Sequence, residues 1–308
     1  MEVVKLENVV KRYGNQSVIN GINLSINQGE IFGILGPNGV GKTTTIEMII
    51  GIRSYEGSIK VFGEEVRNHL DSIKRRLGIS LQITSLFPNL SVEETLNYFA
   101  ILYDIPDYKK RVKQLIDDFN LSELLKQKTK SLSGGQRQRL IIALTVIHDP
   151  EIIFLDEPST GLDPDVRNHI WGYIKKLHEK GKTIILTTHY MEEAHVLCNR
   201  IAFMNQGKIQ AIGSEEELFK ISKVVEKILI RRNLEEDLIN SIRALDSCVS
   251  AYQDFHGVIA LFSEKDSIGK VKQLLSQFTN YQNVDCSIEP PNLNDLFIMY
   301  TGRRLDDK

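Results

Sequence analysis

Residues Gly36-Pro37-Asn38-Gly39-Val40-Gly41-Lys42-Thr43 follow the apolar run 31–35 and lead into a helical stretch read over 44–50. A buried strand, a glycine-rich turn and a helix start in this register form a phosphate cradle. Glycines let successive backbone N–H groups face one anion, and the helix N-terminus adds its dipole. Lys42 carries a charge for β- and γ-phosphates, and the Thr43 hydroxyl can ligate Mg²⁺. A glycine-rich turn without function would need neither the Lys nor the Thr in these places.

Outward from the loop, a second strongly apolar run at 152–155 delivers Asp156 and Glu157 at its carboxyl end, where ligands of parallel sheets bind. Asp156 is placed to hold Mg²⁺, directly or through water, and Glu157 to orient or deprotonate an attacking water. On its own such a pair reads as solvated acid at a strand end; beside a phosphate loop it reads as machinery.

Further strand runs at 79–82, 183–187 and 200–204 alternate with amphipathic stretches, which predicts an α/β domain with a largely parallel sheet over residues 1–222. Helical patterning at 92–103 and 108–119 marks an insertion, about 85–148, between the phosphate loop and Ser133-Gly134-Gly135. After Gly213 the pattern restarts. Ser214 caps a short helix, and residues 223–308 read β-α-β-β-α-β, economically a small α+β ferredoxin-like unit, with Asn292 capping a last helix.

Composition sets bounds. The chain has 308 residues, 42% hydrophobic and 25% charged, as in ordinary globular domains. No apolar run approaches the ~20 residues of a membrane-crossing helix, and the N-terminus lacks a signal-peptide pattern. These features predict a cytoplasmic protein. Cys198, Cys248 and Cys286 have neither metal-site spacing nor an even count. A net charge of -2 gives no reason to expect nucleic acid as partner.

With Leu132-Ser133-Gly134-Gly135-Gln136 added to the two acidic and phosphate-loop segments, residues 1 to about 222 closely resemble the nucleotide-binding subunits of ATP-binding cassette (ABC) transporters. The resemblance implies a P-loop NTPase fold with a helical subdomain, hydrolysis of ATP with Mg²⁺, and separate membrane permease subunits. It implies that Gly36 to Thr44 surround the phosphates, that Tyr13 stacks on adenine with Val18 beside it, and that Gln82 joins Thr43 and Asp156 at Mg²⁺ and senses the attacking water. His189 resembles the switch histidine at the γ-phosphate. Asp163, in Ser159-Thr160-Gly161-Leu162-Asp163, resembles the loop through which two ATP sites communicate. Ser133, Gly134, Gly135 and Gln136 would serve the ATP of a second, head-to-tail subunit, and residues 84–92, with Phe87 and Leu90, would dock a permease helix at the inner face of the membrane.

The ending Leu293-Asn294-Asp295-Leu296-Phe297-Ile298-Met299-Tyr300-Thr301-Gly302-Arg303 resembles the tail of daunorubicin-resistance-type exporter ATPases, which implies export of a drug, lipid, peptide or polysaccharide. Two other readings stand beside transport. A soluble ABC-type ATPase acting on DNA or ribosomes would carry long coiled-coil or zinc insertions or a second cassette; a module that only holds ATP would need neither Glu157 nor His189.

Overall fold

The computed structural model describes residues 1–81, 86–281 and 283–302; Gln82, Thr84 and Arg303 lie outside them. The chain divides into two units, the first running from Met1 to Gln210 and the second from Ala211. The division falls inside a strand and before the 222/223 boundary expected from the pattern restart.

In the first unit, β1 (Glu2–Tyr13) and β2 (Gln16–Asn27) form a long antiparallel hairpin, followed by β3 (Ile31–Leu35), α1 (Lys42–Ile49), β4 (Glu56–Val61), β5 (Glu64–Glu65), α2 (Leu70–Lys74) and β6 (Leu77–Ser80). The helical insertion holds α3 (Val92–Leu102), α4 (Tyr108–Asp118) and α5 (Gly134–Thr145). Then come β7 (Ile152–Asp156), α6 (Pro164–Glu179), β8 (Thr183–Thr188), α7 (Met191–Leu197), β9 (Arg200–Asn205) and β10 (Lys208–Gly213), the strand in which the division falls.

Two sheets result. One is antiparallel, in the order β2-β1-β4-β5, and the largely parallel sheet expected from the alternation of strands and helices did not include it. The other runs β10-β9-β3-β8-β7-β6, with β6, β7, β8, β3 and β9 parallel. Every residue of β3, β7 and β8 is buried, as the unbroken apolar runs require of strands covered on both faces. Each Ile, Leu or Phe so buried contributes about 1.5–3 kcal/mol.

Register decides where chemistry is carried. Leu35 pairs with Thr188, and Asp156 with Thr187, so β3, β7 and β8 end side by side and their following loops emerge together. Helix α5 begins at Gly134, where Ser133 and Gln136 form a reciprocal capping box.

The second unit contains α8 (Glu215–Ser222), β11 (Glu226–Ile230), α9 (Glu236–Arg243), β12 (Cys248–Asp254), β13 (Gly257–Phe262), α10 (Ile268–Ser276), β14 (Cys286–Glu289) and α11 (Leu293–Thr301). Its antiparallel sheet runs β12-β13-β11-β14. Ile228, Ile230, Ala260 and Phe262 pack with Leu238 and Ile242 of α9 and Val271 and Leu275 of α10. Elsewhere in this unit, buried Lys227 pairs with Asp295 at 3.2 Å, and Tyr252 donates to Asp295 at 2.9 Å, fixing α11 to the sheet. Helix α8 packs against α11, nearly 80 residues later, which is why it belongs with this unit. Among the described residues no helix is long and apolar enough to cross a membrane.

Candidate active site

The turn after β3 encloses a cavity of about 320 Å³ lined by Asn38, Gly39, Gly41, Lys42, Thr43, Thr44 and Glu157. Gly41 caps α1 at φ 110°, and a Cβ there would stand 2.4 Å from Ile19 Cδ1, so backbone and packing both demand glycine. No side chain caps α1, and its first N–H groups are left for a ligand. Lys42 is buried and donates to the carbonyls of Gly36 (2.8 Å) and Pro37 (3.1 Å). Gly36 and Val40 stand behind the cavity: a Cβ on Gly36 would meet the Met204 carbonyl at 2.4 Å and Val40 Cγ2 at 2.8 Å.

Across the cavity, Asp156 accepts from Thr43 Oγ1 through Oδ2 at 2.9 Å and from Thr187 Oγ1 through Oδ1. Glu157 follows with φ 51°, a left-handed conformation uncommon outside glycine and held here by its own N–H, which donates to both the carbonyl and the hydroxyl of Thr187 at 3.1 Å. Its Oε1 lies 3.5 Å from Lys42 Nζ, and its Oε2 accepts from Thr160 and lies 3.3 Å from His189 Nδ1. The neighbouring His189 nitrogen first, and then the Lys42 charge, hold the Glu157 carboxyl down at about 2, against the opposing effect of burial. Burial lowers the Lys42 pKa, with Glu157 opposing.

The His189 contact has ion-pair distance without hydrogen-bond alignment, so Nδ1 is buried with bonding capacity unspent. That orphan nitrogen, the uncapped amides and the buried ammonium all face the requirements of a polyphosphate. Thr43 and Asp156 add adjacent hard oxygens of the kind Mg²⁺ prefers. The residues present therefore fit a nucleotide with its magnesium.

The structure thus brings together the loop, Asp156, Glu157 and His189. It leaves others apart. Ser133, Gly134, Gly135 and Gln136 do not line this cavity; Ser133 and Gly134 are exposed at the start of α5. Asp163 is exposed before α6, with no capping bond from its side chain. Tyr13 ends β1 at 43% exposure under Lys11, whose Nζ is 4.9 Å from the ring centroid, and the Val18 carbonyl would stand 3.3 Å from a Cβ on Gly41. Gln82 lies outside the described residues. Thr187 and Thr160 were not foreseen. A polar Thr187-Thr188 pair closing a buried strand just before His189 was the available signal.

The family model described as ABC transporter matches residues 19–160. The linearmycin resistance ATP-binding protein LnrL of Bacillus subtilis (strain 168) is 35% identical over 317 residues, covering 99% of this chain and all of that one. This chain belongs to the ABC transporter ATP-binding proteins. A Nod factor export ATP-binding protein I of Ralstonia nicotianae is 33% identical, covering 99% of this ABC ATPase and 95% of that protein. Among solved structures, cbiO1 from Clostridium perfringens, part of the ABC transporter complex cbiONQ, superposes with TM-score 0.66 at 27% identity over 79% of this chain and 94% of that one. A dimeric ATP-binding cassette bound to ADP and Pi in a post-hydrolysis state superposes with TM-score 0.62 at 29% identity over 68% of this ABC ATPase and 98% of that chain. The family hydrolyses ATP.

Proposed function

We propose that this ABC ATPase drives export of an amphipathic small molecule, lipid or peptide through separate membrane subunits, which hold it at the inner face of the membrane. The names of the linearmycin-resistance and Nod-factor-export relatives support the direction of transport. The observation that carries coupling to a membrane partner is an exposed apolar surface on the helical insertion. Phe87, Tyr98, Ile101, Leu102 and Tyr103 are between 44% and 62% exposed. Of these, Leu102 and Tyr103 line a groove of about 760 Å³ together with Leu86, Phe99 and Ile141, and Phe87 stacks edge-on against Tyr98 with ring centroids 5.2 Å apart. An apolar patch of this kind marks a protein interaction site.

Within the site, phosphoryl transfer asks mainly for positioning and charge stabilisation. Magnesium, held by Thr43 and Asp156 with Gln82, would neutralise charge on the phosphate oxygens. Lys42 turns from Glu157 toward the β- and γ-phosphates. Glu157, at the end of β7, orients the attacking water and receives its proton. His189 offers its unspent nitrogen to the γ-phosphate. Tyr13 stacks on adenine beside Val18. Ser133 to Gln136 complete the phosphate shell of a second, head-to-tail subunit, and Asp163 lies at that junction. The strand order of the second unit supports a ferredoxin-like sandwich, to which we assign the steadying of this dimer.

Reconstitution with the membrane subunits that the reading requires tests it. Exchanging Phe87 and Leu90 for Asp together abolishes substrate efflux, whereas the ATPase of the isolated chain changes less than about twofold. Efflux at the wild-type rate would remove this surface from the coupling.

A further inference from the structure

One carboxylate near the site has no part in the chemistry described. Glu193, in the first turn of α7, is fully buried. Its Oε1 accepts from the Ser159 hydroxyl at 2.6 Å and from Trp171 Nε1 at 2.9 Å, while its Oε2 is buried without a hydrogen-bond partner. Holding a carboxyl there is costly unless it does something specific. Ser159, itself fully buried, opens the loop 159–163.

A second tie runs alongside. The Arg167 guanidinium lies 4.6 Å from the centroid of the Tyr190 ring, next to His189, and Arg167 donates to the Leu162 carbonyl at 3.4 Å. Its Nε is buried without a partner, and Glu192 approaches its other end at 3.7 Å. The far side of the same loop meets α5. A Cβ on Gly135 would stand 2.2 Å from Val166 Cγ1, and one on Gly134 3.5 Å from Leu162 Cδ2. The first turn of α6 is therefore packed between the His189 segment and the Ser133 segment of the same chain.

We propose that Glu193 and Arg167 are positioning residues of a relay within one subunit, through which the state of His189 at its own ATP sets how Ser133 is presented to the partner's ATP. The proposal rests on the two-subunit site proposed above. Packed elements of this kind shift as units, so a displacement of His189 and Tyr190 reaches Leu162 and Val166 through Arg167, and Ser159 through Glu193. Neither residue lines the cavity after β3, so neither should alter how tightly a single chain binds nucleotide.

Four variants of the full-length chain test this: Glu193→Ala, Glu193→Gln, Arg167→Met and Ser159→Ala, the last removing one hydroxyl with little risk to folding. We expect the affinity of each chain for a fluorescent ATP analogue to stay within about twofold of wild type, while Glu193→Ala and Arg167→Met lower kcat about tenfold and reduce the Hill coefficient for ATP from near 2 toward 1. Ser159→Ala shows the same loss of cooperativity more mildly. Glu193→Gln, which keeps an acceptor for Ser159 and Trp171, restores it. A Hill coefficient unchanged in Arg167→Met and Ser159→Ala, or nucleotide affinity falling in step with kcat, overturns the relay. If the wild type is itself non-cooperative and a Glu157→Gln chain fails to dimerise with ATP by size-exclusion chromatography, the two-subunit reading fails and the relay falls with it. ATP-driven dimerisation combined with wild-type cooperativity in the variants refutes the relay alone.

Discussion

Two helix N-termini in this chain are built in opposite ways. Helix α1 opens at Gly41 with no side-chain cap, inside a cavity whose ammonium, carboxylates and imidazole already face one another. Helix α5 opens at exposed Ser133 and satisfies itself, Ser133 accepting from the Gln136 N–H at 3.4 Å while Gln136 Oε1 accepts from the Ser133 N–H at 2.9 Å. The uncapped end leaves its donors to a ligand; the capped end is stable alone and keeps its hydroxyl hydrogen for an acceptor from outside. A single molecule thus carries one uncapped helix end that opens on a cavity and one capped helix end that is exposed.

The strongest way to break this contrast is at Glu157. Glu157→Gln is expected to slow ATP turnover about 10³-fold while leaving ATP binding intact, measured by steady-state phosphate release; ordinary turnover would remove Glu157 from the chemistry.

Acid unfolding probes the same cluster without nucleotide. A Glu carboxyl held at about 2, below its ordinary value near 4.5, contributes stability that is fully present above pH 4.5 and is lost as pH falls toward 2. The folded state of the Glu157→Gln chain lacks the increment, so the stability gap between the two chains, read from urea titrations, should close between pH 4.5 and 2. A gap that persists at pH 2 would mean that the carboxylate is not held by charge.

At the other helix, the proposed two-subunit site has the Ser133 hydroxyl serving a different molecule's phosphate, so Ser133→Ala is expected to cut ATPase about tenfold with single-chain nucleotide affinity unchanged. Weaker binding by the isolated chain would place Ser133 in its own cavity. The smallest effect belongs to Gln136→Ala. Losing half of the capping box should cost about 1 kcal/mol or less in thermal stability, a loss with no counterpart at α1.

Much of this was legible in the sequence because the decisive residues form a contiguous loop and a strand end. The run 36–43 predicts both the turn and the helix after it, and the apolar strands ending at Leu35 and Asp156 place them on one sheet edge. What escaped depends on pairing across the sheet. Thr187 reads as an ordinary β-branched strand residue until the register sets it opposite Asp156. Glu193 reads as one of two acids favoured in a helix's first turn, and only the fold drives it against Ser159 and Trp171. The antiparallel sheet was hidden because β1 must find β4 some fifty residues away. The placement of α8 was missed for a similar reason: Ser214 announces the helix, but nothing local announces α11.

The outward-facing Ser133 hydroxyl has one more consequence. If each ATP needs donors from two chains, turnover per molecule rises with protein concentration and vanishes on dilution, following the dimer population rather than the amount of protein. A chain made in excess of its assembly then leaves cellular ATP untouched without any inhibitor, and its activity appears only where two copies are held together.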